Sequence, residues 1–275
     1  MKSILRFLTI AVDRRTIVRR NFLINCIILT VLSIIIALGS SKFLFKHELS
    51  TENFVTVEIR ATLPSSCEDG DSGMFHDYWR ECDEDYEFYL TRASAAAISS
   101  SDGLTYFLTA NHFCDMSPVL FQIPDELKDV VSIEKTIRKD GKSYNFEIVK
   151  QNRNRDLCLI TSDYPIKNGI ELASEMPDVG EMTTTISSPL GISEKDVSLH
   201  FSGTFSGCNG STCFFTIPAI AGSSGSLVLN YDKEVVGITQ KSLVGFPEVT
   251  IGVGIEDITE FILEYENEPG IDIIH

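Results

Sequence analysis

The chain has 275 residues, a formal net charge of −16 and an isoelectric point of about 4.7. So acidic a surface repels nucleic acid and anionic lipid headgroups, which excludes a nucleic-acid partner. No repeat, low-complexity linker or Lys/Arg run divides the chain into several domains.

The first element is basic. Of the 23 Lys and Arg and 39 Asp and Glu residues, eight and one fall within the first 46 positions, so residues 47–275 carry 15 basic and 38 acidic side chains, a net charge of −23. Residues 22–39 form an apolar run without a single charge. About 18 residues is close to the minimum that spans a hydrocarbon core of about 30 Å. Six of the eight basic residues precede the run, which by the positive-inside tendency leaves the N-terminus in the cytoplasm and the rest outside. The predicted organisation is a cytoplasmic basic segment (1–21), a transmembrane signal anchor (22–40), a linker (41–53), one folded domain (54–265) and a C-terminal tail (266–275). This organisation predicts a single-pass membrane protein that meets the membrane through its N-terminal helix, with its domain periplasmic or extracellular. A signal peptide cleaved near Ala37-Leu38-Gly39 is the alternative.

After the linker come short apolar runs bounded by turn residues, at 54–59, 93–98, 104–109, 145–149, 157–161, 182–186, 200–205, 214–217, 226–229 and 235–239. With hairpin signals such as Asp140-Gly141, they predict an all-β barrel or sandwich. Only residues 255–264 read as a helix. Residues 62–92, with Trp79, Cys67, Cys82 and the acidic run 81–87, read as a solvated insertion between the first two strands. Its carboxylates match no calcium-loop spacing, and no Cys/His cluster has zinc-ligand spacing, so neither a metal nor a cofactor is expected. Cys26 lies in the apolar run, which leaves six cysteines outside and fifteen possible pairings. Sequence proximity suggests Cys67 with Cys82 and Cys208 with Cys213, leaving Cys114 with Cys158.

Three stretches in chain order carry chemistry: Thr109-Ala110-Asn111-His112 after an apolar run, Asp156-Leu157 opening another, and Gly222-Ser223-Ser224-Gly225 opening a third. A serine hydroxyl is a poor nucleophile unless an imidazole accepts its proton, and the imidazole needs a carboxylate to hold its tautomer. The segments Leu104-Thr105-Tyr106-Phe107-Leu108-Thr109-Ala110-Asn111-His112, Arg155-Asp156-Leu157-Cys158-Leu159-Ile160 and Pro218-Ala219-Ile220-Ala221-Gly222-Ser223-Ser224-Gly225-Ser226 resemble, in order and in local sequence, the "LTAAH", "DLALL" and "PGxSGSP" segments of the chymotrypsin-like serine proteases. The stretch 177–191 is similar to the "vGe-v-xiG-PxG" segment of bacterial trypsin-like proteases, including the high-temperature-requirement and glutamyl endopeptidase groups. About 50 residues follow Ser224, which leaves no room for a PDZ domain.

The resemblance implies two antiparallel six-stranded β-barrels, a short C-terminal helix and an active site in the cleft between barrels. It implies a serine endopeptidase acting on protein or peptide substrates through an acyl-enzyme, with His112, Asp156 and Ser224 catalytic and Gly222, Ser223 and Ser224 forming the oxyanion hole. By position, Pro218 and Ala219 form the base of the specificity pocket, and Thr239, Gln240 and Lys241 its wall. No acid stands there to pair a substrate Lys or Arg. Ser223 occupies the position where trypsin-like zymogens carry an Asp, so activation through a freed N-terminus is not expected. Gly70-Asp71-Ser72-Gly73 copies a familiar nucleophile motif but precedes His112 in a polar loop, and Ser72 reads as a turn residue. Asn111, Ser226 and Leu227 depart from the common motifs, which keeps a second reading in play: a catalytically inactive protease fold used as a binding or sensing module.

Overall fold

The computed structural model describes residues 50–63 and 86–267, apart from positions 122, 124, 129, 193, 195 and 196. The expected signal anchor, the Cys67–Cys82 pair, Ser72, most of the 62–92 insertion and all but the start of the tail lie outside the described residues. Among the described residues, no helix is long and apolar enough to cross a membrane.

Thirteen strands follow one another in the described residues: β1 Phe54–Leu63, β2 Tyr86–Ser101, β3 Leu104–Ala110, β4 Ser132–Lys139, β5 Lys142–Asn145, β6 Glu147–Asn152, β7 Leu157–Ser162, β8 Met182–Ser187, β9 Leu199–Asn209, β10 Thr212–Phe215, β11 Leu227–Leu229, β12 Val235–Leu243 and β13 Phe246–Gly254. The last six close into an antiparallel barrel in the order β10-β13-β12-β11-β8-β9, as expected. The first seven depart from the expected six-stranded barrel and form a seven-stranded sheet, β5-β4-β1-β2-β3-β7-β6. The extra strand has a simple origin. β5 and β6 lie at opposite edges of the sheet yet are separated by one residue, Phe146, whose N–H leaves the run to bond the Lys135 carbonyl. One residue of chain ties the two edges together, so the sheet must curl round on itself.

The period of two in a strand divides its residues between two cores. Val55, Val57 and Ile59 of β1, Ala93, Ala95 and Ala97 of β2, and Cys158 and Ile160 of β7 pack inside the first sheet. The alternate residues Phe54, Ala96, Leu157 and Leu159 join the core that runs into the second barrel. β7 is therefore buried on both faces, which its unbroken apolar run anticipates. Glu58, on the opposite face of β1 from Val57 and Ile59, is fully buried and faces the guanidinium groups of Arg60, Arg92 and Arg138.

The C-terminal helix, Ile255–Glu266, buries Ile255, Ile258, Phe261, Ile262 and Tyr265, an apolar stripe at helical spacing. Two disulfides staple the described domain: Cys114–Cys158, joining the segment after β3 to β7, and Cys208–Cys213, across the β9–β10 hairpin. Both agree with the pairings expected from the sequence. Loop-closure entropy makes the first the stronger constraint, since it closes 44 residues against five. Replacing both cysteines of the long bridge by Ala is expected to cost about 4 kcal/mol, against about 2 kcal/mol for the short one. Urea unfolding of the two variants measures the difference, and equal losses would refute this ordering.

Candidate active site

The antiparallel register of β3 and β7 places Ala110 opposite Leu157, so the residues just beyond these strand ends, Asn111–His112 and Asp156, meet. The chain turns there: β3 stops at Ala110 and a single helical turn, Asn111–Cys114, begins. Asn111 N–H donates to the Asp156 carbonyl at 3.1 Å. The carboxylate grips the next residue twice: His112 N–H donates to Oδ1 at 2.7 Å, and Nδ1 lies 2.8 Å from Oδ2. A carboxylate only accepts, so Nδ1 carries the hydrogen and Nε2 keeps its lone pair. The Cys114–Cys158 bridge lies two residues beyond each partner and braces the pair. The His112 side chain is half exposed, which leaves Nε2 open to a reacting group.

The serine lies in a tight loop of the second barrel. Gly222 and Gly225 adopt φ of +91° and +84°, left-handed values that favour glycine. A Cβ on Gly225 would lie 2.1 Å from the Ser94 carbonyl oxygen and 2.3 Å from Thr109 Oγ1, so the loop touches the first sheet without a gap. The Ala221 carbonyl accepts from Leu190 N–H at 2.7 Å. In a trans peptide N–H and C=O point oppositely, so this contact turns Gly222 N–H away from the Pro189–Gly191 turn. Among the described residues, no acceptor takes the N–H of Gly222 or of Ser224. Ser223, grouped with them in the sequence reading, has its N–H committed to the Ile220 carbonyl at 2.9 Å and is almost fully buried. Its N–H is not available to an oxyanion, because the turn that orients the other two consumes it.

Ser224 is partly buried and its hydroxyl donates to the Gln240 carbonyl oxygen at 2.8 Å, not to His112. The structure thus joins His112 to Asp156 directly, and holds Ser224 through β12. Gln240 also departs from its expected place in a substrate pocket. Its side-chain amide donates to the Arg155 carbonyl and, at 3.4 Å, to that of Asp156, so it faces the aspartate loop. It can turn that way because the β12–β13 ladder bulges between Thr239 and Lys241. Thr239 is nearly fully buried, its backbone bonded to Gly225 and Ser226, while Lys241 is exposed. Pro218 is exposed, and Ala219 is buried with its N–H on the Pro247 carbonyl.

One organising residue was missed by sequence reasoning. Ser94 of β2 donates its N–H to the Ser224 carbonyl and its hydroxyl to the Gly222 carbonyl, and accepts from Ser188 N–H, each at 2.8 Å. It stitches the serine loop to the first sheet. The one available signal was the run of small residues, Ala93 to Ala97, which lets backbones approach closely.

Two barrel-like β units with a helix at the C-terminal end and a His–Asp pair near a glycine-flanked serine define the chymotrypsin-like all-β class. The sequence matches the trypsin-like peptidase domain over residues 93–238, and the chain belongs to that family of serine proteases. A protease domain implies a protein or peptide substrate. Among solved structures, the chain resembles Rv3671c from M. tuberculosis, in the inactive form of a Ser-to-Ala mutant, with a TM-score of 0.52 and 9% identity, covering 79% of this chain and 89% of that one. It also resembles the serine endoprotease from Yersinia pestis, with a TM-score of 0.51 and 14% identity, covering 76% of this chain and 63% of that one. No curated protein sequence matches the chain.

Proposed function

We propose that this chain is a membrane-anchored serine endopeptidase facing the extracytoplasmic side, with His112 as general base, Asp156 as its orienting carboxylate and Ser224 as nucleophile. The observation that carries the reading is the double grip of Asp156 on His112, which leaves Nε2 as a proton acceptor. When a substrate carbonyl enters, the Ser224 hydroxyl leaves the Gln240 carbonyl and gives its proton to Nε2. Catalytic hydrogen bonds of this kind commonly tighten only in the substrate complex. Oγ attacks the carbonyl carbon, and the oxyanion that forms is met by the N–H groups of Gly222 and Ser224. Nε2 then protonates the leaving amine, and water releases the acyl group by the same steps in reverse order.

The same hydrogen bond from Ser224 to Gln240 favours the second reading, a catalytically silent binding or sensing module. A fluorophosphonate probe separates the two. Covalent labelling of Ser224 in the folded chain supports the endopeptidase; a folded chain that stays unlabelled supports the binder. The oxyanion arrangement makes a further prediction. Alanine at Gly222 forces a side chain onto φ +91° and its Cβ within 2.7 Å of Leu190 N and the Ser188 carbonyl oxygen. Labelling and peptide hydrolysis are expected to fall by about a hundred- to a thousandfold; a variant that keeps the parental rate would remove Gly222 from the oxyanion site.

A further inference from the structure

Asp156 itself has φ of +52°, a left-handed value that few residues other than glycine adopt. Such a conformation persists where its surroundings over-determine it, and here those surroundings act on the residue before it. Every polar group of Arg155 is engaged. Its N–H donates to Asn152 Oδ1 at 3.0 Å, its carbonyl accepts from Gln240 Nε2, and its guanidinium meets three carboxylates of the C-terminal helix. Nε lies 3.2 Å from Asp257 Oδ1, Nη2 2.5 Å from Glu260 Oε2 and Nη1 3.0 Å from Glu264 Oε1. The three acids recur at helical spacing on one face, and the guanidinium faces each of them with a different nitrogen, a spread that an ammonium, with its three donors on one nitrogen, does not offer. Hydrogen bonds from Arg155 and then Lys150 hold the Glu264 carboxyl below its ordinary range.

We infer that Arg155 is a positioning residue: the C-terminal helix, gripping its guanidinium, and Gln240, gripping its carbonyl, together aim the Asp156 carboxylate at His112. The inference rests on the endopeptidase reading above. Gln240 adds a coupling, since the residue that clamps Arg155 also holds the Ser224 hydroxyl through its own carbonyl. The helix, about a hundred residues further along the chain, thereby becomes part of the machinery that orients the imidazole.

The test uses the full-length chain with a fluorogenic casein substrate and the fluorophosphonate probe. Arg155→Gln is expected to lower kcat by about ten- to a hundredfold with KM within about twofold, and to slow labelling by the same factor. Arg155→Lys recovers only part of the loss, because an ammonium carries its donors on one nitrogen while the three carboxylates are met by three separate nitrogens of the guanidinium. The His112 Nδ1–H proton resonance, a direct report of its bond to Asp156, shifts or broadens in Arg155→Gln. Lys150→Gln serves as the structural control: it breaks another ion pair to Glu264 (3.3 Å) without touching the aspartate loop, and leaves kcat and the resonance unchanged. Neutralising Asp257, Glu260 and Glu264 together reproduces the Arg155→Gln loss, and adding Arg155→Gln costs little more. An active parent with a folded Arg155→Gln variant of equal kcat overturns the inference, as does a loss confined to KM or a fully additive combination. Should Arg155→Gln fail to fold, the triple carboxylate variant decides on the same readouts. A parent chain that neither labels nor cleaves sinks the endopeptidase reading instead, so the two failures are distinguishable.

Discussion

Replacing Ser224 by alanine is expected to lower turnover about a million-fold, equivalent to about 8 kcal/mol of transition-state stabilisation, while the fold persists. The size of the effect follows from the chemistry. Without Oγ no acyl-enzyme forms, and what remains is the polarising effect of the Gly222 and Ser224 N–H groups on a bound carbonyl attacked by water. The fold should survive because the side chain makes one hydrogen bond, to the Gln240 carbonyl, while the loop is held by backbone contacts: Ser94 N–H to the Ser224 carbonyl and Gly225 N–H to the Thr239 carbonyl. Burst-phase kinetics and thermal unfolding measure the two halves separately. Near-parental cleavage of casein by the alanine variant would end the assignment of Ser224 as nucleophile.

Asp156→Asn is expected to cut kcat about ten-thousandfold, or about 5 kcal/mol, with little change in KM. One carboxylate oxygen accepts from His112 N–H and the other from Nδ1–H. An amide keeps its oxygen for the backbone N–H and presents its NH₂ group to Nδ1, which must then become the acceptor. The hydrogen moves to Nε2, and the base can no longer take a proton from serine. Fluorophosphonate labelling should slow in parallel. An asparagine variant with parental kcat would show that His112 needs no tautomer control from this residue.

Local sequence carried the elements that depend on local patterning. The apolar runs around His112, Asp156 and Ser224 predicted β3, β7 and β11, and the stripe in the last segment predicted the helix that the structure places at Ile255–Glu266. Two of the strands that lay outside the expected runs have other reasons for being strands. β4 carries Glu134, Lys135, Arg138 and Lys139 and is half in solvent, so charge obscured its alternation. β13 holds Pro247, Gly252 and Gly254. Those residues argue against a strand until Gly252 is placed against β12, where a Cβ would lie 1.8 Å from the Ile238 carbonyl oxygen. The closing of the first sheet through Phe146 was likewise invisible, because it depends on two edges meeting.

The candidate site divides in the same way. Residue type and order were enough to single out His112, Asp156 and Ser224, since a base, a carboxylate and a hydroxyl are side-chain chemistries written directly in the sequence. The roles of Ser94, Gln240 and Arg155 are not chemistries of that kind. They arise from contacts that include bonds between groups far apart in the chain, such as Gln240 on the Arg155 carbonyl, 85 residues away, and Ser94 on the Gly222 carbonyl, 128 residues away. The sequence by itself determined which groups could react and the strands that deliver them. Only the tertiary structure decided that the serine rests on Gln240, that Ser223 gives up its N–H to a turn, and that an arginine joins the last helix to the aspartate. The bonds to Gln240 and Arg155 form only once β12 and the last helix have packed against the site, and the Ser223 turn is set by the backbone of the serine loop, so residue type alone records none of them.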